Sequence, residues 1–408
     1  MLRKILFWLH LSAGVAAGSF IFVMAATGVL LSFERQITDF VDRDIRFVSV
    51  PQDPQPGSLN DLLAAVRRAG MGEPTAVTVR DRPQATVQFS LGRSGTVYVD
   101  PYSNALLGVS SIRSRQFFSA VERLHRTLGT PLGSKGLGHW LAAISNLLFA
   151  ALILLGLFLW IPRKWSWKAV RASIAFRAGL RGRARDWNWH NVLGIWCAAP
   201  LLVIALSGVV MSFQWANALL FRLSGSNPPI QGRGPGDDHS HRQHGVVGTE
   251  PNYDALLRIS KTFDPNWRAI TLNLVRDANS PVQVSIDAGS GGQPQKRTQY
   301  LLNRNTGVVL RTTTFADGTL GQRLRAFVRF GHTGEWGGWV GQLLAAMASL
   351  GACVLVYTGL SLSIRRLVAR LKRNRSSIPA LEFQLEETAV GSRSKPVGAP
   401  IRFSANKV

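Results

Sequence analysis

Four long apolar runs organise the chain. They cover about residues 11–33, 140–161, 192–213 and 340–364, and none contains a charged residue. About 20 helical residues, each rising about 1.5 Å, cross the roughly 30 Å hydrocarbon core of a bilayer. The pattern therefore predicts four transmembrane helices surrounded by lipid.

The apolar runs form two related pairs. His10–Phe33 matches His190–Phe213 without a gap, 180 residues later in the chain, and Leu141–Arg163 matches Leu344–Arg366, 203 residues later. Such self-similarity is typical of membrane proteins built from two related halves. We expect an α-helical membrane protein with its four helices in two pseudo-repeated pairs.

The first run has basic flanking residues, as a signal peptide does. Arg3 and Lys4 precede it, but the apolar stretch is too long for a signal peptide and its copy is internal to the chain. We interpret it as a retained membrane helix.

Two polar segments separate the helices of each pair. Ser58–Gly70 and Asn252–Phe263 each begin with a capping residue and carry apolar residues at helical spacing. Stretches of alternating apolar and polar residues follow, at 75–80, 85–91 and 96–109 and again at 269–275, 281–287 and 298–312. We expect two α+β modules, each with a small antiparallel sheet.

Positive charge is concentrated beside the helix ends on one side. The chain carries a net charge of +24, and residues 1–4, 162–186 and 365–408 hold 20 of the 47 basic residues but 4 of the 23 acidic ones. Short basic loops mark the cytoplasmic side of a membrane protein. The distribution predicts cytoplasmic termini and a cytoplasmic middle loop, places both modules on the opposite, outer side of the membrane, and speaks against a nucleic-acid partner; the periplasm is the outer compartment that the resemblance described below implies.

These patterns divide the chain into eight parts. In order they are membrane helix 1 at 1–33, module 1 with a helix before membrane helix 2 at 34–139, membrane helix 2 at 140–161, a basic loop at 162–186, membrane helix 3 at 187–213, module 2 at 214–339, membrane helix 4 at 340–364 and a basic tail at 365–408.

The common catalytic motifs are missing. The two cysteines, Cys197 and Cys353, lie inside predicted membrane helices, and without C-x-x-C-H no covalent haem attachment is expected. The sequence contains no G-x-S-x-G, H-E-x-x-H, Walker loop or dinucleotide fingerprint. If the protein uses reducing equivalents, they must therefore come from another molecule.

Four histidines occupy related places at the helix ends. His10 and His190 begin the first and third helices, whereas His125 and His332 precede the second and fourth. Histidine is costly in a membrane, and three uses compete: a hydrogen bond between helices, a proton relay, or ligation of a metal or haem iron. Twin positions in duplicated helices can approach each other and hold one iron. Two such pairs at opposite membrane faces are what two bis-imidazole haems require.

The outer pair has a rival ligand. His139 directly precedes the second helix, but its partner in the repeat is Gln342, whereas His125 falls on His332 when a four-residue gap is allowed. The repeat thus favours His125.

Other side chains are candidates for accessory roles. Arg123, Arg126 and Arg329 lie close to the outer histidines and could pair with haem propionates or anchor the helices at the lipid interface. His239, His241 and His244 follow a Gly- and Pro-rich stretch and could bind a metal; a solvated loop is the competing interpretation.

Several stretches resemble one known family. "TGVLLSF" at the end of helix 1, "LHRTLG" before helix 2, "GLFLWIPR" at its end, "YVDPYSNALLG" in module 1 and "LLNRNTGVV" in module 2 resemble the PepSY-associated transmembrane family. The resemblance extends to about residue 375. Within the family the chain looks most similar to bacterial inner-membrane ferric-siderophore reductases of the ferrioxamine type.

The resemblance implies a function. It implies an oxidoreductase of the bacterial inner membrane with two b-type haems, one held by His10 and His190 and the other by His125 and His332. Electrons from an unidentified cytoplasmic or membrane donor would reduce periplasmic ferric siderophore and release Fe(II). The alternatives are a siderophore permease and a non-catalytic membrane anchor or regulator, and haem content separates both from the reductase.

Overall fold

The computed structural model describes residues 1–131, 133, 136–162, 166–227, 250–275, 277 and 280–391. The helices described are α1 (Leu2–Ser32), α2 (Glu34–Val41), α3 (Arg43–Arg46), α4 (Leu59–Arg68), α5 (Ile112–Thr127), α6 (Leu137–Trp160), α7 (Trp167–Ile174), α8 (Gly182–Trp196), α9 (Ala198–Ser212), α10 (Gln214–Leu223), α11 (Tyr253–Lys261), α12 (Leu320–His332) and α13 (Gly338–Gly391). The strands described are β1 (Ala76–Arg80), β2 (Val87–Ser90), β3 (Thr96–Val99), β4 (Leu106–Val109), β5 (Ala269–Asn273), β6 (Val282–Asp287), β7 (Arg297–Leu302) and β8 (Val309–Thr313).

Three of the predicted membrane spans are continuous helices. By length and composition, α1, α6 and the segment Glu335–Arg373 are long and apolar enough to cross a membrane. That segment consists of a short turn and the first part of α13. α1 packs against α6 and α13, α9 packs against α6, and α8 packs against α13. The protein is therefore a multi-pass membrane protein.

The third predicted span is not one helix. The stretch expected as a single helix over 187–213 is divided into α8 and α9, which meet at Cys197 with a bend of 68°. Pro200 explains the break, because its nitrogen cannot donate to the Trp196 carbonyl and its ring clashes with that carbonyl. The equivalent position of the first half is Phe20, and α1 is continuous there.

The two predicted modules share one sheet. The strand order is β4-β3-β2-β1-β5-β6-β7-β8, and all neighbouring strands are antiparallel. The halves join where β1 pairs with β5, with Thr78 opposite Thr271 and their hydroxyls 2.8 Å apart. The expectation of two separate small sheets is thus corrected to one sheet of eight strands.

One apolar core supports both halves of the sheet. The helices α4 and α11 contribute Leu62, Val66, Tyr253 and Leu256 to the same buried cluster as the inward side chains of the strands. Burial of apolar area is the main stabilising contribution here. The sheet and its two helices therefore fold as one unit.

Each of the two helices on the sheet is capped from the other half. The Asp254 carboxylate accepts hydrogen bonds from Ser58 Oγ at 2.6 Å and Leu59 N at 2.7 Å. In return, the Asn60 side chain accepts from Tyr253 N at 3.1 Å. Backbone N–H groups at a helix start lack intrahelical acceptors, so these side chains satisfy them.

We expect Asp254→Ala to destabilise the sheet unit by about 2 kcal/mol, because the change leaves part-buried donors without an acceptor. The matched control is Asp61→Ala, which removes an exposed carboxylate from the first turn of α4 and should cost about 0.5 kcal/mol. Thermal unfolding of the purified full-length protein measures both. Equal melting temperatures for the two variants would contradict the cross-capping.

Candidate haem-ligand sites

The first histidine pair lies at the end of the helix bundle opposite the sheet. His10 of α1 and His190 of α8 have ring centres 6.3 Å apart and ring planes at 88°. Each ring lies over a glycine of a neighbouring helix: an added Cβ at Gly156 of α6 would be 3.4 Å from His10 Cε1, and one at Gly359 of α13 would be 3.2 Å from His190 Cε1. The two glycines are equivalent positions of the repeat, so each ring has a glycine at the same place beside it.

The second pair lies at the sheet end of the bundle. His125 of α5 and His332 of α12 have ring centres 6.2 Å apart and ring planes at 70°. Each is in the last turn of a short helix that packs against the bundle, α5 against α1 and α12 against α9. His125 contacts α1 at Met24 and Thr27, which is roughly 24 Å beyond His10 along that helix at about 1.5 Å per residue.

The hydrogen bonds of His125 fix which ring nitrogen is free. His125 Nδ1 lies 2.9 Å from Thr27 Oγ1 and 3.0 Å from the Met24 carbonyl oxygen. A carbonyl oxygen can only accept, so the contact with Met24 requires Nδ1 to carry the hydrogen, and the Thr27 hydroxyl directs its own hydrogen to carbonyls of α1. The Nε2 lone pair is then left for a metal ion.

The same arrangement recurs at two other histidines. His332 Nδ1 lies 2.9 Å from Ser207 Oγ and 3.0 Å from the Ile204 carbonyl oxygen, and that hydroxyl also donates to Ile204. His190 Nδ1 lies 3.0 Å from Thr358 Oγ1, which donates to its own helix at 2.8 Å. Carbonyls and hydroxyls that orient a ligating imidazole in this way are typical of metal sites.

His10 differs from the other three in its surroundings. Its Nδ1 is buried without a hydrogen bond of good geometry, although the Leu152 backbone approaches it. Leu155 stands where the other half has Thr358. The inner pair therefore combines one histidine supported by a hydroxyl and one without that support.

The donor set fits haem iron. An imidazole nitrogen lies about 1.2 Å from its ring centre and forms metal bonds of about 2 Å, so two rings on opposite sides of one metal ion have centres about 6.4 Å apart. Both observed separations, 6.3 Å and 6.2 Å, agree with that value. Two neutral imidazoles are ligands that haem iron accepts.

The rival ligand lies elsewhere. The His139 ring contacts Trp140, with ring centres 5.9 Å apart. Gln342, its counterpart in the repeat, donates to the Ser32 carbonyl at 2.9 Å and accepts from Gln36 at 2.7 Å. The structure thus brings His125, and not His139, next to His332.

The candidate propionate partners are separated by the fold. Arg329 lines a cavity at the sheet end of the bundle, next to Arg35. Arg126 forms an exposed ion pair with Glu122 at 2.8 Å, and Arg123 is exposed and donates to a serine of its own helix. The role of all three as propionate partners stays a prediction.

Sequence reasoning did not identify several residues of these sites. The orienting hydroxyls of Thr27, Ser207 and Thr358 escaped notice, although Thr27 and Ser207 occupy equivalent positions of the repeat. His239, His241 and His244 lie outside the described residues. Within the described part of the chain, no group of three or more His, Cys, Asp and Glu residues is arranged to hold a metal ion.

The fold and the paired histidines define a multi-pass membrane protein with two candidate metal-ligand sites at opposite ends of its bundle. The family model for the PepSY-associated TM region matches residues 7–366. The chain therefore belongs to that family, as the sequence motifs predicted. No curated protein matches the chain.

Proposed function

We propose that the protein is a di-haem oxidoreductase of the bacterial inner membrane that reduces ferric siderophore on its sheet side. The observation that carries the proposal is the pair of matched histidine sites, with ring centres 6.3 Å and 6.2 Å apart at opposite ends of one bundle. A single intramembrane histidine would be explained by a hydrogen bond between helices. Two equivalent pairs, with orienting hydroxyls at three of the four rings, support a metal ion held between the two imidazoles of each pair.

The residues of each site have definite tasks. His10 and His190 would hold one b-type haem, and His125 and His332 the other. Bound there, haem would supply one-electron transfer. The hydroxyls of Thr27, Ser207 and Thr358 hold the imidazoles in a fixed orientation, and Gly156 and Gly359 leave room for the inner rings.

Reduction of a ferric siderophore requires one electron and no further catalytic group from the protein. Ferric siderophores hold Fe(III) through hard, anionic oxygen donors, which bind Fe(II) less tightly because of its lower charge. One electron therefore loosens the complex, and no acid-base group is required. This agrees with the absence of the common hydrolytic and dinucleotide motifs from the sequence.

Reconstitution tests the proposal. The purified protein, in vesicles with its sheet side outward, is reduced from the lumen by a trapped reductant, and ferric siderophore is added outside with an Fe(II)-specific dye. We expect Fe(II) to appear in wild-type vesicles and not in vesicles carrying His190→Ala. Haem-loaded vesicles that reduce no ferric chelate would contradict the reductase, whereas siderophore uptake without Fe(II) formation would indicate a permease.

We expect Thr358→Val to weaken haem binding at the inner site. The change removes one acceptor of the His190 Nδ1–H group, while the Leu355 backbone remains beside it. Loss of such a partner costs about 10- to 100-fold in metal affinity. Because the Leu355 carbonyl can still accept from the ring, we expect a loss of haem affinity of about 10-fold. Haem transfer to an excess of apomyoglobin measures the loss, and Leu155→Val, at the equivalent position beside His10, is the control. Equal transfer rates for the two variants would contradict the orienting role of Thr358.

A further inference from the structure

A cleft with two chambers lies between the sheet and the bundle. The inner chamber has a volume of about 240 Å³ and the outer one about 340 Å³. They share Arg35, Glu335 and Gln342 as lining residues. The outer chamber is lined by Trp339 and by the loop that joins β6 to β7, and its volume is within the range of roughly 300 to 1,000 Å³ found for small-molecule sites.

The inner chamber is lined by residues that lie close to the outer histidine pair in the chain. Thr333, which lines it, directly follows His332 in the chain. Ser32, also in its lining, is one helical turn beyond Gly28, where an added Cβ would be 3.6 Å from His125 Cε1. A molecule in this cleft therefore lies beside the outer of the two proposed haem sites.

Two carboxylates that line the outer chamber have partners. Asp39 forms an ion pair with Arg46 at 2.6 Å. Glu335 accepts a hydrogen bond from Thr333 at 3.0 Å. In the inner chamber, burial and the like charges of Glu122 and Glu335 raise the pKa of Glu34, and Arg329 opposes this effect.

The cations of the outer chamber are not balanced in the same way. Arg35, Arg268 and Lys296 line it, and none of the three forms an ion pair within the part of the chain that the structure describes. Burial and the nearby Arg46 and Arg35 lower the pKa of the Arg80 guanidinium on β1, and Asp39 opposes this effect. Unpaired guanidinium and ammonium groups in a cleft favour an anionic, oxygen-rich ligand.

We propose that this cleft binds the ferric chelate and selects a complex of net negative charge. The substrate class rests on the proposed reductase function, whereas the binding of an oxygen-rich anion rests on the cleft alone. The guanidinium of Arg35 and the ammonium of Lys296 contact the anionic oxygens of the chelate. A chelate of the same size with net positive charge, such as the ferrioxamine-type substrate that the sequence resemblance implies, is disfavoured by the same groups.

Gallium(III) chelates test the cleft without electron transfer. Gallium(III) has the charge of Fe(III) and is not reduced, so binding can be measured whether or not haem is present. The probes are a gallium complex of a tricarboxylate chelator, which is anionic, and one of a trihydroxamate with a free ammonium group, which is cationic. Isothermal titration with the purified full-length protein in nanodiscs of neutral lipid gives both affinities.

Charge variants locate the binding. We expect Arg35→Gln, Arg268→Gln and Lys296→Gln each to weaken binding of the anionic complex by about three- to ten-fold. The control Arg258→Gln removes an equal charge from the exposed side of α11 and should leave the affinity unchanged. The thermal unfolding midpoint of each variant shows that it is folded, and the exposed Lys296 provides a variant with little structural cost.

Three results would overturn the proposal. The first is equal or tighter binding of the cationic complex, and the second is equal affinity of Arg258→Gln and the three cleft variants. The third is loss of anion binding in nanodiscs of anionic lipid, which would assign the cations to lipid headgroups. Selective binding of the gallium anion by protein that contains no haem would support the cleft and contradict the reductase, so the two proposals can fail separately.

Discussion

Replacing His332 with alanine is expected to leave the purified protein with one haem per chain instead of two. The substitution removes one of two ligands whose ring centres are 6.2 Å apart, and the remaining His125 keeps its hydrogen bonds to α1. Loss of one strong imidazole bond is a far larger change than loss of an orienting hydrogen bond. A pyridine haemochrome count per chain measures the loss.

The matched controls are the other histidines. His125→Ala should give the same spectrum as His332→Ala, because the two share one site. His10→Ala and His190→Ala should each remove the other haem. The midpoint potential of the haem that stays bound should therefore differ between the two groups of variants. His139→Ala, whose ring contacts only Trp140 among the rings of the described residues, should retain both haems. A His139→Ala protein with one haem would show that the outer ligand is misassigned.

Replacing Gly138 with alanine is expected to disrupt the outer site and spare the inner one. An added Cβ at Gly138 in α6 would overlap the Thr127 carbonyl at the end of α5, the helix that carries His125. Backbone cannot move aside as the tip of a flexible side chain can. The substitution therefore pushes α5 and its histidine away from the bundle, and we expect loss of most of one haem.

The second half repeats this contact. An added Cβ at Gly341 in α13 would overlap the Gly334 carbonyl, just after the end of α12, which carries His332. Gly341→Ala should thus reproduce the Gly138→Ala spectrum. Gly337→Ala is the control, since an added Cβ there meets nothing within 4 Å. Full haem content in both variants would show that the helix contacts do not position the outer histidines.

Local structure was predictable where the sequence carries local signals. Ser58 and Asn252 cap the two helices of the sheet unit as expected, and the alternating stretches are strands. The duplicated positions of His10 and His190 indicated a pair, and the structure places the two rings together. These signals depend only on neighbours in the chain or on comparison of the two halves.

Other features depend on contacts that alternation and periodicity do not encode. The pairing of β1 with β5 joins residues nearly 200 positions apart. The alternation of apolar and polar residues predicts each strand but does not predict which strand it pairs with. The cleft needs the sheet and the bundle side by side before Arg35, Arg268 and Lys296 meet. The break before Pro200, in contrast, was readable from the sequence, because proline within an apolar helix predicts a kink.

The most direct test of the account is the number of haems in the wild-type protein. Purified full-length protein is examined by a reduced-minus-oxidised spectrum, and its haem is counted per chain as the pyridine haemochrome. The two histidine pairs predict two b-type haems, both with the spectrum of bis-imidazole ligation. A folded, colourless protein would contradict the account, and the paired histidines would then be contacts between helices.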